Sequence, residues 1–580
     1  MKNWKAIFMS VVISTVLAVG FGILYFNDHA WGAWGDDSAG YIYLAGRLFS
    51  GDPLVYKDEL GAKGLDFFDD ETLARWLLPT HHQFINTHGM VASKYPIGVS
   101  LLMYLGAKIV SSSTGFYFVN PLLAVANLVL LYLFALLLFP HHRFRHVIGF
   151  FSASALGLCS MYYDFAIAQP MREIPSITFL LLSSIVFVLA LQYRKQRESI
   201  RSYRWWSMIA LFTLSGMSFG IAVDIRETSI VVLPAFVGLG SGLLWRQGKS
   251  LRANVQHLLL PMSIFIISFL IGLIPLIVNS VRISQDKEVF KKRDVSAVVV
   301  LPNIGHIETI SFKNIFHSVG KFKTDEDGSL PHFWVTMQNA VPIPYFLAFV
   351  LLGMCYVWKE SRSIAVFLVF WCIGILLIFS LWINPYSRYI LPMYPPLLLL
   401  GMYGGVAFFT QFLPRIIKKR GLIVLLGFAV FGTIILAYQP VIARVHTSLY
   451  SDVYLFKSIS RSDLNTLMQL GDKMKSLKNP VLMFSGKWQY GTSETFEAHT
   501  GVKTIHFPFE QKKFIFNTQK VYAFIDEMLQ DGYTINVWVD STSSAAVSHF
   551  LEQYDTAVFA TESFTFQPGV SIISIQKREK

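Results

Sequence analysis

Charge is what this sequence lacks most. Only 15% of its 580 residues are Asp, Glu, Lys or Arg, while 53% are hydrophobic and the mean hydropathy is +0.47. A soluble globular chain carries roughly 25% charged residues, so this balance excludes an ordinary soluble protein. Cysteine is scarce as well. Cys159, Cys355 and Cys372 all fall within apolar runs, which excludes a disulfide framework and any zinc-ligand spacing. Ionisable residues are also nearly absent from the interiors of those runs, whereas secondary transporters and proton pumps place such groups, or broken helices, near the membrane midplane.

What is present is a series of uncharged runs of about 17 residues or more, long enough to cross a hydrocarbon core of about 30 Å. We read eleven spans, near 7–26, 119–139, 147–163, 174–191, 205–223, 228–245, 254–279, 341–358, 363–383, 388–411 and 421–439. The expected fold is therefore mainly α, a polytopic membrane protein. The run 97–110 is a twelfth candidate, and basic residues decide against it. If it does not cross, one side of the membrane receives MKNWK, HHRFRH, the stretch Tyr193 to Arg204, RQGKSLR, KESR and PRIIKKR. Together these hold 18 Lys and Arg against two acids, Glu198 and Glu360. By the positive-inside rule that side is the cytoplasm. Residues 97–110 then form a re-entrant or surface helix within a first outer loop, 27–118, and a second outer loop spans 280–340. The basic flank and long apolar centre of the first run read as an anchor rather than a cleaved signal, because Ala-Trp-Gly is a poor cleavage site. The net charge of +12 comes mostly from the cytoplasmic loops, so no nucleic-acid partner is needed.

From about 441 to 580 the pattern changes. Strand-like runs PVLMFSG, KTIHF, TINVWVD, TAVFA and VSIISIQ alternate with helical stretches SDLNTLMQLGDKMKSL, TQKVYAFIDEMLQDG and AAVSHFLEQY. The alternation predicts a small α/β domain outside the cell, with no G-x-G-x-x-G and no phosphate loop, serving as a cover or for acceptor recognition.

The stretch GDDSAGYIYLAGRLFSGD, residues 35–52, sets Asp36 and Asp37 at the start of an amphipathic helix. One carboxylate suffices to cap the free N–H groups of a helix; the second is surplus. Other polar groups gather at the same outer ends of spans: Lys94, Asp164, Arg172 with Glu173, Asp224 with Arg226 and Glu227, and Arg388 with Tyr389. Singly, such residues snorkel to headgroups or complement a helix dipole. Collected on one side, they suit a substrate that is half lipid and half phosphate, with Arg and Lys on the phosphate and a carboxylate for proton transfer. His81, His82 and His88 read as solvated loop residues. The DEDG at 325–328 reads as a solvated turn rather than a nucleotide-sugar motif. The alternative architecture for so many spans is a transporter or flippase of lipid-linked sugars. It leaves the long outer loop and its paired acids unexplained.

The motifs together resemble the GT-C class of membrane glycosyltransferases. DDSAGYIYLAGRLFSGD is similar to that class's first-loop acidic motif, with Asp36 on its leading Asp. KYPIGVSLLMYLGAKIV, PMREIPSITFLLL, GIAVDIRETSIVVLP and SRYILPMYPPLLLL resemble four further segments in family order. The resemblance covers residues 1 to about 440. It implies an inverting transfer of sugar from a polyprenyl-phosphate donor to a hydroxyl on a lipid, glycan or protein acceptor at the outer face of the plasma membrane. It implies Asp36 as general base. Asp37 would orient that base, or hold a divalent cation with Glu173 and Asp164. Lys94, Arg226 and Arg388 are expected on the donor phosphate, where fixed cations stabilise the charge that develops on the leaving group. Tyr95 and Tyr389 are expected as supporting residues. Departures such as Ile97 and Glu227, where proline is common, leave the sugar and acceptor open.

Overall fold

In the computed structural model, residues 2–33, 36–69, 74–79, 82–167, 170–195, 203–244, 251–286, 333, 337, 346–381, 387–416, 459–484, 490–506, 518–540, 550–552, 559–567 and 570–577 are described. The first ten expected spans each meet helix there; the run 421–439, the DEDG turn and His81 lie outside the described residues. The helices are α1 (Lys2–Asp28), α2 (Asp36–Ser50), α3 (Glu59–Phe68), α4 (Gly98–Val110), α5 (Val119–Leu138), α6 (Arg145–Leu158), α7 (Ser160–Ile167), α8 (Glu173–Lys195) and α9 (Tyr203–Ile225). They continue with α10 (Leu233–Leu244), α11 (Leu251–Gly272), α12 (Ile274–Gln285), α13 (Phe346–Glu360), α14 (Arg362–Ser380) and α15 (Tyr394–Ala407).

Among the described residues, seven helices are long and apolar enough to cross a membrane, and eight if the bent pair α11–α12 is one span. This is a multi-pass membrane protein. The expected spans 147–163 and 341–358 meet shorter helices and 421–439 lies outside the described residues, so the count of eleven stays an expectation. The 50° bend of α11–α12 follows Gly272 and precedes Pro275, whose missing N–H interrupts the helical ladder. The α4 helix has 13 residues, or about 20 Å at 1.5 Å per residue, too short to span about 30 Å. It lies against α2, in keeping with a surface or re-entrant helix.

Helices approach closely where side chains are smallest. Gly216 and Gly220 of α9 pack on the α11 backbone, and Gly353 of α13 packs on α15, with no room for a Cβ at any of the three. Small residues at such crossings are how apolar helices gain contact in lipid. A ring cluster of Phe187, Phe212, Phe219, Phe236 and Phe265 fills the space between α8 and α11.

The first loop carries a small antiparallel sheet of β1 (Tyr56–Lys57), β2 (His82–Phe84) and β3 (Met90–Ser93), in the order β1-β3-β2. The C-terminal part is an α/β unit. Its helices are α16 (Arg461–Met474), α17 (Tyr490–Thr500) and α18 (Thr518–Gln530). Its strands are β4 (Pro480–Phe484), β5 (Lys503–His506), β6 (Thr534–Asp540), β7 (Phe559–Gln567) and β8 (Val570–Lys577), in the order β5-β4-β6-β8-β7. Strand β4 runs parallel to β5 and β6, and β8 runs antiparallel to β6 and β7.

Alternation along the strands decides what each face of this sheet covers. Leu482, Phe484, Trp538 and Ile572 join the core that continues into the helical bundle. Val481, Met483, Ile535, Val537 and Ile575 share a second core with Leu60, Leu65, Phe68, Trp76 and Leu77 of the first loop. The first loop and α18 thus share one core with this face of the C-terminal sheet, with Phe67, Phe68 and Trp76 against Phe524. Ion pairs cross the same boundary: Lys503 Nζ lies 2.6 Å from Asp58 Oδ2, and Lys63 pairs with Glu527 at 3.1 Å and with Asp531.

Candidate active site

Asp36 is the first residue of α2; its side chain lies outside the described residues. Asp37 follows it, and the surplus carboxylate has other work than capping. Its Oδ2 accepts from Arg388 Nη2 at 2.5 Å, and its Oδ1 accepts from the Tyr95 hydroxyl. Three distant stretches meet there: the start of α2, the turn before α4, and the segment between α14 and α15. That last segment is a 3-10 turn, Ser387–Met393, anchored where Trp371 Nε1 of α14 donates to the Pro392 carbonyl at 3.0 Å.

Tyr95 is 8% exposed, with its ring 5.1 Å from that of Tyr41. Burial first, and then the adjacent Asp37 charge, hold its hydroxyl well above the ordinary tyrosine range. It therefore stays protonated and can only donate to the carboxylate. Lys94, next in the chain, is half-buried and carries no ion pair among the described residues. Tyr389 stacks on Phe379 at 4.9 Å, and the Arg388 guanidinium lies 5.5 Å from its ring centre.

A second layer of charge lies behind this one. Arg226 is 1% exposed and Glu173 is 0% exposed. Arg226 Nη1 stands 3.7 Å from Glu173 Oε1, Nη2 donates to the Tyr389 carbonyl at 3.0 Å, and Nε donates to Thr228 Oγ1 at 3.2 Å. Arg226 thus turns inward and supports the Tyr389 backbone, with Nη1 in no hydrogen bond among the described residues, and its expected contact with the donor phosphate stays an expectation. Arg172 pairs with Glu227 at 3.5 Å and lies 5.9 Å from the Tyr95 ring centre.

The expected metal ligands do not assemble. Among the described residues no three His, Cys, Asp or Glu side chains gather to hold an ion. Asp37 and Glu173 each face an arginine, and Asp164, half-buried on α7, shares no ion pair or hydrogen bond with either among the described residues. Among the described residues, Asp37 and Glu173 are thus each held by an arginine rather than by a shared ion. His82 also departs from expectation: it is 1% exposed, with its ring 4.9 Å from that of Tyr43, because β2 turns inward under the C-terminal sheet. His88 is exposed, as a solvated residue should be.

Sequence reasoning missed α17. Its sequence YGTSETFEAHT is polar and weakly amphipathic, yet it packs along α2, with Gly46 so close to Ala498 that a Cβ has no room. Ser493, Glu494 and Thr495 are 0% exposed within it.

No family model matches the sequence, and no curated protein does either. Solved structures match in fold. ArnT from Cupriavidus metallidurans in the apo state is similar with a TM-score of 0.55 at 12% identity, over 99% of this chain and 98% of that one. The same protein bound to undecaprenyl phosphate is similar with a TM-score of 0.55 at 10% identity, over 97% of each chain. The archaeal oligosaccharyltransferase AglB from Archaeoglobus fulgidus, in complex with an inhibitory peptide and a dolichol-phosphate, is similar with a TM-score of 0.55 at 12% identity, over 100% of this chain and 75% of that one. The chain therefore has the fold of the GT-C membrane glycosyltransferases.

Proposed function

We propose that this protein transfers a sugar from a polyprenyl-phosphate donor to an acceptor hydroxyl at the outer face of the plasma membrane, with inversion at the anomeric carbon. The observation that carries the reading is the meeting of Asp37 with Arg388 and Tyr95, beside Lys94, at one end of a GT-C bundle. Such a site has acids for a proton and cations for a phosphate.

The acceptor oxygen attacks the anomeric carbon, and the bond from that carbon to the phosphate oxygen breaks with its electron pair. The acceptor proton goes to Asp36. Asp37 has both oxygens engaged by Tyr95 and Arg388, which suits it to orient the neighbouring base rather than to take the proton. Charge grows on the departing phosphate, and Arg388 and Lys94, the neighbour of Tyr95, are the proposed pair of cations that meets it. An arginine fork that turns from Asp37 towards phosphate gains most in the transition state, where the oxygen charge is largest. Arg226 and Glu173 hold Tyr389 and hence Arg388 in register. The neighbours' ligands, undecaprenyl phosphate and dolichol-phosphate, support a lipid-phosphate donor; the bound peptide of AglB supports a macromolecular acceptor as readily as a lipid. Multiple spans alone would equally suit a flippase of lipid-linked sugars. The acid pair held by an arginine suits group transfer.

Mass spectrometry of lipid that co-purifies with the protein tests the donor. A polyprenyl phosphate, bare or carrying a sugar, is the expected finding. Bulk phospholipid alone, with no binding of added undecaprenyl phosphate, contradicts the reading.

A further inference from the structure

Three backbone N–H groups just ahead of the paired acids are each tied to a different part of the chain. Ala30 donates to the Ile167 carbonyl at 2.7 Å, Trp31 to the Ile459 carbonyl at 2.8 Å, and Ala33 to Thr495 Oγ1 at 3.0 Å. The last two partners belong to the C-terminal part, 428 and 462 residues away in the chain. Thr495 is 0% exposed, and its hydroxyl is also hydrogen-bonded to that of Tyr117. Tyr117 in turn meets His499 Nε2 at 2.7 Å, and His499 Nδ1 meets Ser113 Oγ at 2.7 Å.

Ala33 N–H donates to Thr495, and the hydroxyls of Thr495, Tyr117 and Ser113 and the two ring nitrogens of His499 continue the chain, with directions set by the His499 tautomer. Each member has a partner in this buried relay, and leaving one unsatisfied is costly. A domain that merely covered the bundle would need apolar contact only. Here a polar chain runs from a helix of the C-terminal unit to the turn that leads into Asp36.

We propose that Thr495 is a positioning residue and that the C-terminal unit, through α17, sets the place of the turn presenting Asp36 and Asp37. The catalytic half of this inference rests on the proposed transfer reaction. The tie itself does not. A general base must lie within hydrogen-bond reach of the proton it takes, and a displacement of about 1 Å can cost on the order of a hundredfold in rate.

Thr495→Val keeps the volume and shape of the side chain and removes the acceptor; Thr495→Ser keeps the acceptor. Both are compared with wild type in the full-length protein. The first readout is amide hydrogen exchange over residues 30–33. The second is undecaprenyl phosphate affinity, and the third is turnover on undecaprenyl-phosphate-linked sugars prepared from membranes of the source cells. Thr495→Val should raise exchange at least about tenfold, leave undecaprenyl phosphate affinity within about twofold, and lower kcat by about 10- to 100-fold. Thr495→Ser should restore both exchange and kcat. Tyr117→Phe breaks the relay one step away and should move exchange and kcat in the same direction by less, which serves if Thr495→Val does not fold. Unchanged exchange in a folded variant overturns the tie, and raised exchange with wild-type kcat overturns the positioning role. Raised exchange in a protein whose wild type transfers no sugar from any donor removes the proposed reaction, and the positioning role with it, while the tie stands.

Discussion

Asp37 and Arg388 are 351 residues apart in the chain and 2.5 Å apart in space. Their side chains keep 17% and 22% of their surface exposed, so the pair is reachable from outside the protein, unlike Arg226 and Glu173 behind it. A partly exposed ion pair contributes little to stability, with a median near 0–1 kcal/mol. Its placement between the paired-acid helix α2 and the turn Ser387–Met393 matters more than its strength.

Arg388 is therefore the cation whose loss should be felt in donor binding. Arg388→Ala should weaken undecaprenyl phosphate binding about tenfold or more, and Arg388→Lys should recover only part of it, because a point charge lacks the planar two-pronged fork. Isothermal titration in detergent reads both. Unchanged affinity with a lowered melting temperature would leave Arg388 as a holder of Asp37 alone.

Sidedness follows from the shared core of the first loop and the C-terminal sheet, which obliges both to lie on one face of the membrane. Single cysteines at the exposed positions Asp52 and Asp472, in a background with Cys159, Cys355 and Cys372 replaced by Ala, should react with an impermeant thiol reagent on intact cells. Cysteines at the exposed positions Arg143 and Lys359 should react only after lysis. Outside labelling of Arg143→Cys would invert the topology and remove the site from the outer face.

Burial shifts His499 from its ordinary value of 6.5 to about 4. The folded protein thus holds a neutral ring where the unfolded chain binds a proton. This stabilisation is complete above pH 6.5 and is lost as pH falls through the window to about 4, on the order of 3 kcal/mol in total. Around the ring stand Ser113, Tyr117 and Phe116, and a charged imidazole would donate from both ring nitrogens, so that Ser113 and Tyr117 would both have to accept. Thermal melting of wild type and His499→Gln between pH 7.5 and 4.5 checks this. The wild type should lose more stability over that range than the variant, and parallel curves would contradict it.

The apolar runs and the strands of the C-terminal unit were legible because length and alternation are written in single residues. The first ten expected runs meet helix where they are described, four of the expected strand runs become strands, and of TAVFA the described Phe559 and Ala560 begin β7. The first-loop helix α3 was not read from the sequence; Asp58 caps it by accepting from Gly61 N–H at 2.7 Å. Helix α17 was not legible either, because what buries Ser493, Glu494 and Thr495 is α2 and the bundle, far away in sequence. The same blindness applied to Arg226: a sequence shows that an arginine ends a span, not whether it turns towards lipid, substrate or the protein interior. Asp37 and Arg388 were each legible as candidates, while their contact was a property of the fold.

The most direct test of the account is turnover by Asp36→Asn. Sugar transfer from an undecaprenyl-phosphate donor is followed in liposomes, with undecaprenyl phosphate affinity measured separately. Asn keeps the shape of the side chain and caps a helix almost as well as Asp, but it cannot take a proton. The account predicts undecaprenyl phosphate affinity near wild type and turnover lowered by about 10² to 10⁴, the usual worth of a positioned general base. An Asp36→Asn protein that transfers sugar at the wild-type rate, or a wild type that only moves the donor across the bilayer, would contradict it.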